Sequence, residues 1–330
     1  MIKMKLHFIL LLMVVAMLSA CTPVVKEKPV ALPVPVVKAP VVPVEVEPEL
    51  VVKEQDILIL LSGSTKPYQL IADYIAKDLG EHAIQFTLSG QSAQDKALIK
   101  DIKAANTSQV VAIGLKAANL VKGLKDKQVI ITQVVNYNEN GLITDNAKGV
   151  SALPSPEKLF KDWKALSPGL SRVAIVAGKN LSAYLRRAKK AAKSQGIDLQ
   201  IELVKTDKEF LYRSKKLKSV VEGQWILPDN RVLSGKSLKE VMAYGSRRGR
   251  QIVVFSPSLL SFGGFFYVQP DEKAIADAVL MRLADSAGKD SIPGQNIMPV
   301  LTHKMGINQN IARQFNLTIP QKYRKHINGE

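Results

Sequence analysis

From residue 57 onward, short apolar runs alternate with longer stretches in which apolar positions recur every three or four residues. The first kind predicts buried strands over 57–61, 83–88, 110–113 and 129–134. The second predicts helices over 67–79, where Pro67 suits a first turn, and over 92–105 and 116–124. After a connector at Gly149-Val150-Ser151 the alternation restarts. Helices are expected over 156–166, 181–195, 208–221 and 237–247, and strands over 172–177, 199–204, 224–227 and 252–255. Helices between short Val/Ile-rich strands imply a parallel sheet covered on both faces. Two such units in series predict an α/β protein of two doubly wound parallel-sheet lobes with a cleft between them. The tail reads as a crossing strand over 263–269, a helix over 271–287, a strand over 297–302 and a closing helix over 308–315. On this reading the chain crosses between lobes three times and the crossings are hinge strands. The expected division is 55–148 plus 266–290 for lobe one and 149–265 plus 291–330 for lobe two.

The first fifty residues follow different rules. Lys3 and Lys5 precede the apolar run 8–18, which is too short to span a bilayer as a helix and reads as an export signal over 1–20. It ends in Leu18-Ser19-Ala20-Cys21, which resembles the bacterial lipobox, with the Cys21 thiol as acceptor of fatty acyl (palmitate) chains. Cys21 is the only cysteine of the chain. The alternative is an ordinary secretory leader beside a buried cysteine. Acylation would tether the body at the membrane without a spanning helix. Thr22, not Asp, follows the cysteine, which favours the outer membrane in a Gram-negative cell. Residues 21–54 hold seven prolines interleaved with valines, a pattern that excludes a helix or a central strand and predicts an extended tether. At about 3.1 Å per residue it would reach on the order of 100 Å.

Composition narrows the function. The 330 residues carry a formal net charge of +17. The leader holds Lys3 and Lys5, and the tether four lysines against five glutamates, so residues 55–330 carry about +16. A basic body favours acidic neighbours such as anionic envelope polymers or an acidic partner. Basic residues cluster at Arg186, Lys189, Lys190 and Lys193, at Arg213, Lys215, Lys216 and Lys218, and at Arg247, Arg248 and Arg250. No aromatic residues interleave with them for stacking, so nucleic acid is not expected as a partner. Solvated helix faces are the default reading of these clusters, and an acidic partner surface is the alternative. One cysteine and four scattered histidines offer no metal-ligand cluster, and no phosphate-binding glycine loop or nucleophile elbow stands out. The chain is read as a non-enzyme without a cofactor.

In doubly wound sheets, ligands bind beyond the carboxyl ends of strands. This rule selects Ser62, Ser64, Tyr68, Gly114, Lys116, Asn136 and Tyr137 in the first lobe. In the second it selects Lys179, Asn180, Asp229, Asn230, Ser256 and Ser258. Hydroxyls and amides would orient a ligand, and Asp229 would pair with an amine. Each has a plainer reading: Asp229-Asn230 as a turn and cap, Ser62-Gly63-Ser64 as a loop satisfying its own backbone, Lys116 as a solvated lysine.

Over roughly residues 55–325 the chain resembles the ABC-transporter substrate-binding proteins of the TrpX-like group, which have the type I periplasmic-binding fold. The resemblance is carried by Gly149-Val150-Ser151, Pro156-Glu157-Lys158, and Leu166-Ser167-Pro168-Gly169 before Arg172-Val173-Ala174-Ile175-Val176. It continues in Trp225-Ile226-Leu227-Pro228-Asp229-Asn230, Phe255-Ser256-Pro257-Ser258 and Asn316-Leu317-Thr318-Ile319-Pro320. The first lobe departs more, with a short opening loop 62–68 and Lys116 where small or hydroxyl residues are expected. The resemblance implies a lipid-anchored periplasmic protein that closes on a small, amino-acid-like molecule for an ABC importer. The alternative is an outer-membrane lipoprotein using the same fold as an interaction module for envelope machinery.

Overall fold

The computed structural model describes Lys53 and residues 55–286 and 296–327. The leader, the acylation expected at Cys21 and all of the tether except Lys53 lie outside the described residues.

The first lobe begins with β1 (Ile57–Leu61), α1 (Lys66–Leu79), β2 (Ala83–Thr87), α2 (Ser92–Ala104), β3 (Gln109–Ile113), α3 (Leu115–Val121), β4 (Gln128–Thr132) and β5 (Ala147–Val150). The second follows with α4 (Pro156–Leu166), β6 (Arg172–Gly178), α5 (Ser182–Ser194), β7 (Asp198–Val204), α6 (Asp207–Lys216), β8 (Gly223–Trp225), α7 (Gly235–Arg247) and β9 (Gln251–Val254). The tail adds β10 (Phe266–Pro270), α8 (Glu272–Ser286), β11 (Ile297–Met298), β12 (His303–Ile307) and α9 (Gln309–Gln314).

These strands form two six-stranded sheets, ordered β11-β5-β4-β3-β1-β2 and β12-β10-β9-β8-β6-β7. Every neighbouring pair is parallel except β10 with β12. Central strands must then be apolar on both faces. All five residues of β1 are buried. Ile57, Ile59 and Leu61 pack with Ile71 and Ile75 of α1 and Val279 of α8, while Leu58 and Leu60 pack with Ile102 of α2 and Ala118 of α3. The period of two along the strand sorts the two covers. In the second lobe Trp163 and Phe160 of α4 meet Trp225 of β8 and Phe266 of β10 in one aromatic cluster. The buried Trp163 indole donates to Gln251 Oε1 at 2.7 Å, and Gln251 Nε2 donates to Ser167 Oγ at 2.9 Å.

Three details differ from the sequence reading. Gly149-Val150, read as a connector, belongs to β5, where Gly149 pairs with Ile131 of β4 and Ile297 of β11. The strand expected over 297–302 is confined to Ile297–Met298, and β12, which the periodicity did not indicate, follows it antiparallel to β10. The lobe division also shifts. β10 pairs within the second sheet, and α8 alone returns to pack on α1 in the first. β11 completes the first sheet and β12 the second. The boundary falls at Pro270, between a strand and the helix that follows it, where apolar periodicity carries no signal of which sheet is joined. Chain segments pass between lobes after β5, after β10 and after β11.

Candidate functional site: the cleft between the lobes

Loops leaving the carboxyl ends of strands in both lobes meet across the cleft, and the nominated residues fall into two groups, with the rest placed singly. The first lies at the ends of β1 and β3. Ser62 Oγ accepts from the Ala117 amide in the first turn of α3 at 2.9 Å, which ties the loop after β1 to the helix after β3. Gly114 has φ 91°, a left-handed conformation open to glycine. A Cβ there would lie 2.6 Å from Ser62 Oγ and 2.8 Å from the Tyr68 hydroxyl, so the missing side chain is what lets these three residues converge. Burial pushes the half-buried Tyr68 phenol up. Ser64 and Lys116 are exposed beside this group.

The second group links the lobes. Asp229, after β8, is buried and its Oδ2 accepts from the Gly178 amide at the end of β6, at 3.1 Å. Arg231 reaches both carboxylate oxygens, Nε to Oδ1 at 3.1 Å and Nη2 to Oδ2 at 3.2 Å. The same guanidinium pairs through Nη1 with Glu139 on the loop after β4, in the other lobe. The Asn136 side chain lies against Asp229, and its Oδ1 is buried without a hydrogen-bond partner. Burial pushes the Asp229 carboxyl up, opposed by the amides of Arg231 and Gly178 and by Asn136. A Cβ on Gly178 would sit 2.5 Å from Asp229 Oδ2, so the strand end must be bare for the carboxylate to dock. Glu139 and Arg231 were not nominated from sequence. A single charged residue on a loop gives no periodic signal, although Arg231 lies two residues from Asp229.

The remaining nominees are placed singly. The Tyr137 hydroxyl lies 2.9 Å from the Ile131 carbonyl and 2.7 Å from that of Val150, and burial drives its pKa far up, so this phenol braces lobe one. Lys179 and Asn230 are exposed. Ser256 and Ser258 share a hydroxyl–hydroxyl hydrogen bond of 2.9 Å at the turn Pro257–Phe262. Asn180 has its Nδ2 buried without a partner.

Two cavities flank the crossing segments at Val135 and Ala152, which line both. The smaller, about 220 Å³, is walled by Pro67 of α1, Pro228 past β8, Phe255 past β9 and Val268 of β10, with Gln133 and Gln269 as its polar amides. Gln133 holds φ 58°, an unusual conformation for a residue with a side chain and a mark of a constrained position. Among the described residues of this wall Glu272 is the one that carries a charge, and it pairs with Lys304. The larger, about 600 Å³, is lined by Asn180, Tyr184 and Arg187 from lobe two and by Asn138 and Ile297 from lobe one. Of the nominated residues, Tyr137 and Asn180 border the larger cavity; those of the smaller are missed by sequence, and lie close to a nominee, just past β5 (Ala152 and Pro154), or between Val268 of β10 and Glu272 of α8.

No protein-family model matches the chain, and no curated protein matches its sequence. Solved structures do match. An ABC domain in complex with L-Trp from Streptococcus pneumonia is 20% identical with a TM-score of 0.57, covering 84% of this chain and 98% of that one. A ligand-free, open structure of a substrate-binding protein with adhesive properties from Clostridium difficile is 14% identical with a TM-score of 0.61, covering 83% and 98%. A conserved domain protein from Vibrio cholerae is 15% identical with a TM-score of 0.55, covering 84% and 99%. Identities at this level establish the architecture, and with the sheet order above they give the conclusion: two parallel-dominated lobes arranged in the type I periplasmic-binding fold.

Proposed function

We propose that the chain is a lipid-anchored, extracytoplasmic solute-binding protein whose lobes close on a small molecule and present it to an ABC importer. The observation that carries this reading is the cavity of about 220 Å³ at the strand ends, where both lobes and the crossing segments meet. Ligand pockets typically run to roughly 300–1,000 Å³, so its occupant is compact or the lobes part further to receive it. The walls are mostly proline, Phe255 and valine, and suit an apolar body; Gln133 and Gln269 supply direction. An amino-acid-like ligand would present its side chain to this wall. Its carboxylate would have to be met by amide donors, since no Lys or Arg lines the cavity. No catalytic role is proposed. Acylation at Cys21 and the proline-rich tether would hold the body clear of the membrane, with the outer membrane favoured by Thr22.

The test is thermal unfolding of the purified protein against a panel of free amino acids, small sugars and nucleosides. One class should raise Tm by several degrees, on the order of what ligand at a hundred times its Kd supplies. Ala152→Phe, which extends a side chain at the wall of both cavities, should abolish that shift. No shift from any class, or one that survives Ala152→Phe, contradicts the reading.

One observation favours a second reading, an envelope interaction module. The Asp229–Arg231–Glu139 chain ties the lobes with the protein's own groups and needs no ligand to do so. Photo-crosslinking in cells separates the two: permease components support solute delivery, cell-wall or outer-membrane machinery the module.

A further inference from the structure

We propose that the outer face of lobe two carries an anion site for phosphate groups, in a basic pocket formed by α4, β12 and the chain's final turn. The pocket encloses about 630 Å³ and lies apart from the cleft. Lys158, Lys161, Lys322, Lys325, His303 and His326 contribute to its lining, against two carboxylates, Glu157 and Asp162.

Both carboxylates are already engaged. Glu157 accepts two hydrogen bonds from Arg187, at 2.6 and 2.7 Å. Asp162 accepts from Lys158 at 2.8 Å and from the Tyr323 hydroxyl at 2.8 Å, and its Oδ2 lies 2.9 Å from His303 Nε2. Among the described residues, Lys161, Lys322 and Lys325 then have no acidic partner, and Lys322 lies over the Tyr323 ring. Three ammonium groups without acidic partners leave this concavity with a positive potential that favours an anion. Burial holds the His326 imidazole below the ordinary range, and Lys325, Lys158 and His303 push it the same way against an opposing pull from Asp162.

A second observation concerns the pocket wall. The His303 side chain is fully buried, and among the described residues its Nδ1 has no hydrogen-bond partner. With Nε2 on Asp162, Nδ1 is the ring atom left over, buried in the pocket wall and not open to its interior. Several ammonium donors around one concavity suit a compact oxyanion with many acceptor oxygens, and a phosphate group fits that description.

The test uses the full chain in detergent and two probes that separate the sources of phosphate. Inorganic pyrophosphate stands for the free ion, and glycerophosphoglycerol for a phospholipid headgroup. Binding is followed by titration calorimetry at low ionic strength. Saturable binding of either probe is expected, weakened at least tenfold by Lys161→Glu with Lys325→Glu. Lys190→Glu with Lys193→Glu on α5 makes the same change in net charge outside the pocket and should leave it within about twofold. Lys161 and Lys325 are exposed, so the double variant should fold, and its unfolding curve confirms that. Pyrophosphate alone assigns the site to free phosphates, and binding of the diester assigns it to headgroups. Failure of both probes to bind, or equal loss in the two double variants, overturns the proposal.

Discussion

Asp162 shows how one side chain can decide where the end of a chain docks. Its carboxylate is almost wholly buried and gathers Lys158 of its own helix, His303 of β12 and Tyr323 of the final turn. Burial alone would raise its pKa, but those three contacts outweigh it and hold the group at about 2. A carboxyl depressed below its unfolded value of 3.8 stabilises the fold fully above that value, and loses the contribution as pH falls through the folded pKa. The difference corresponds to about 2 kcal/mol. Asp162→Asn should therefore unfold at lower urea than the parent at pH 7, and the gap between them should shrink between pH 4 and pH 2. A gap that is constant across that window would refute the assignment. At the cleft, Gly178→Ala sets a methyl against Asp229 and should cost about 1–3 kcal/mol as the carboxylate and Arg231 are displaced, read from urea midpoints.

Elements were legible in this sequence where periodicity decides them and opaque where pairing does. The predicted strand over 57–61 and helix over 156–166 match β1 and α4, because runs of buried apolar residues and a Ser155 cap leave little choice. β5 escaped because Ala-Lys-Gly-Val has no strand signature of its own; it is a strand because β4 and β11 supply its hydrogen bonds. β12 escaped for the same reason, with β10 as its partner. In the cleft, strand-end loops could be located from the alternation, while the left-handed turn at Gln133 and the reach of Arg231 could not. The basic clusters sort equally by element. Arg186, Lys189, Lys190 and Lys193 form a solvent-exposed face of α5. Lys215 pairs with Glu240. Arg250, read as part of an exposed cluster, is instead buried and donates to the carbonyls of Ser214, Leu217 and Lys218 at the end of α6. Arg250→Met should leave those carbonyls unpaired and cost about 2 kcal/mol or more, measured by urea denaturation. An unchanged midpoint would mean that water replaces the guanidinium at no loss.

At the scale of the whole molecule, the account turns on whether the two lobes move. Their cores are separate, each with apolar clusters on both faces of its own sheet. What joins them is three crossing segments and a few side-chain links, Glu139–Arg231, Asn136–Asp229 and Lys304–Glu272, across which a ligand would shift the balance between open and closed forms. Glu139→Gln removes the charge pair without altering either core and should favour the open form. The direct measurement is the distance between spin labels at Lys100→Cys in α2 and Lys189→Cys in α5, both exposed positions, in a Cys21→Ser chain. Two distance populations are predicted, with the active ligand class from the thermal screen gathering them into the shorter and Glu139→Gln into the longer. A single distance that neither the panel nor Glu139→Gln changes would contradict a hinged receptor.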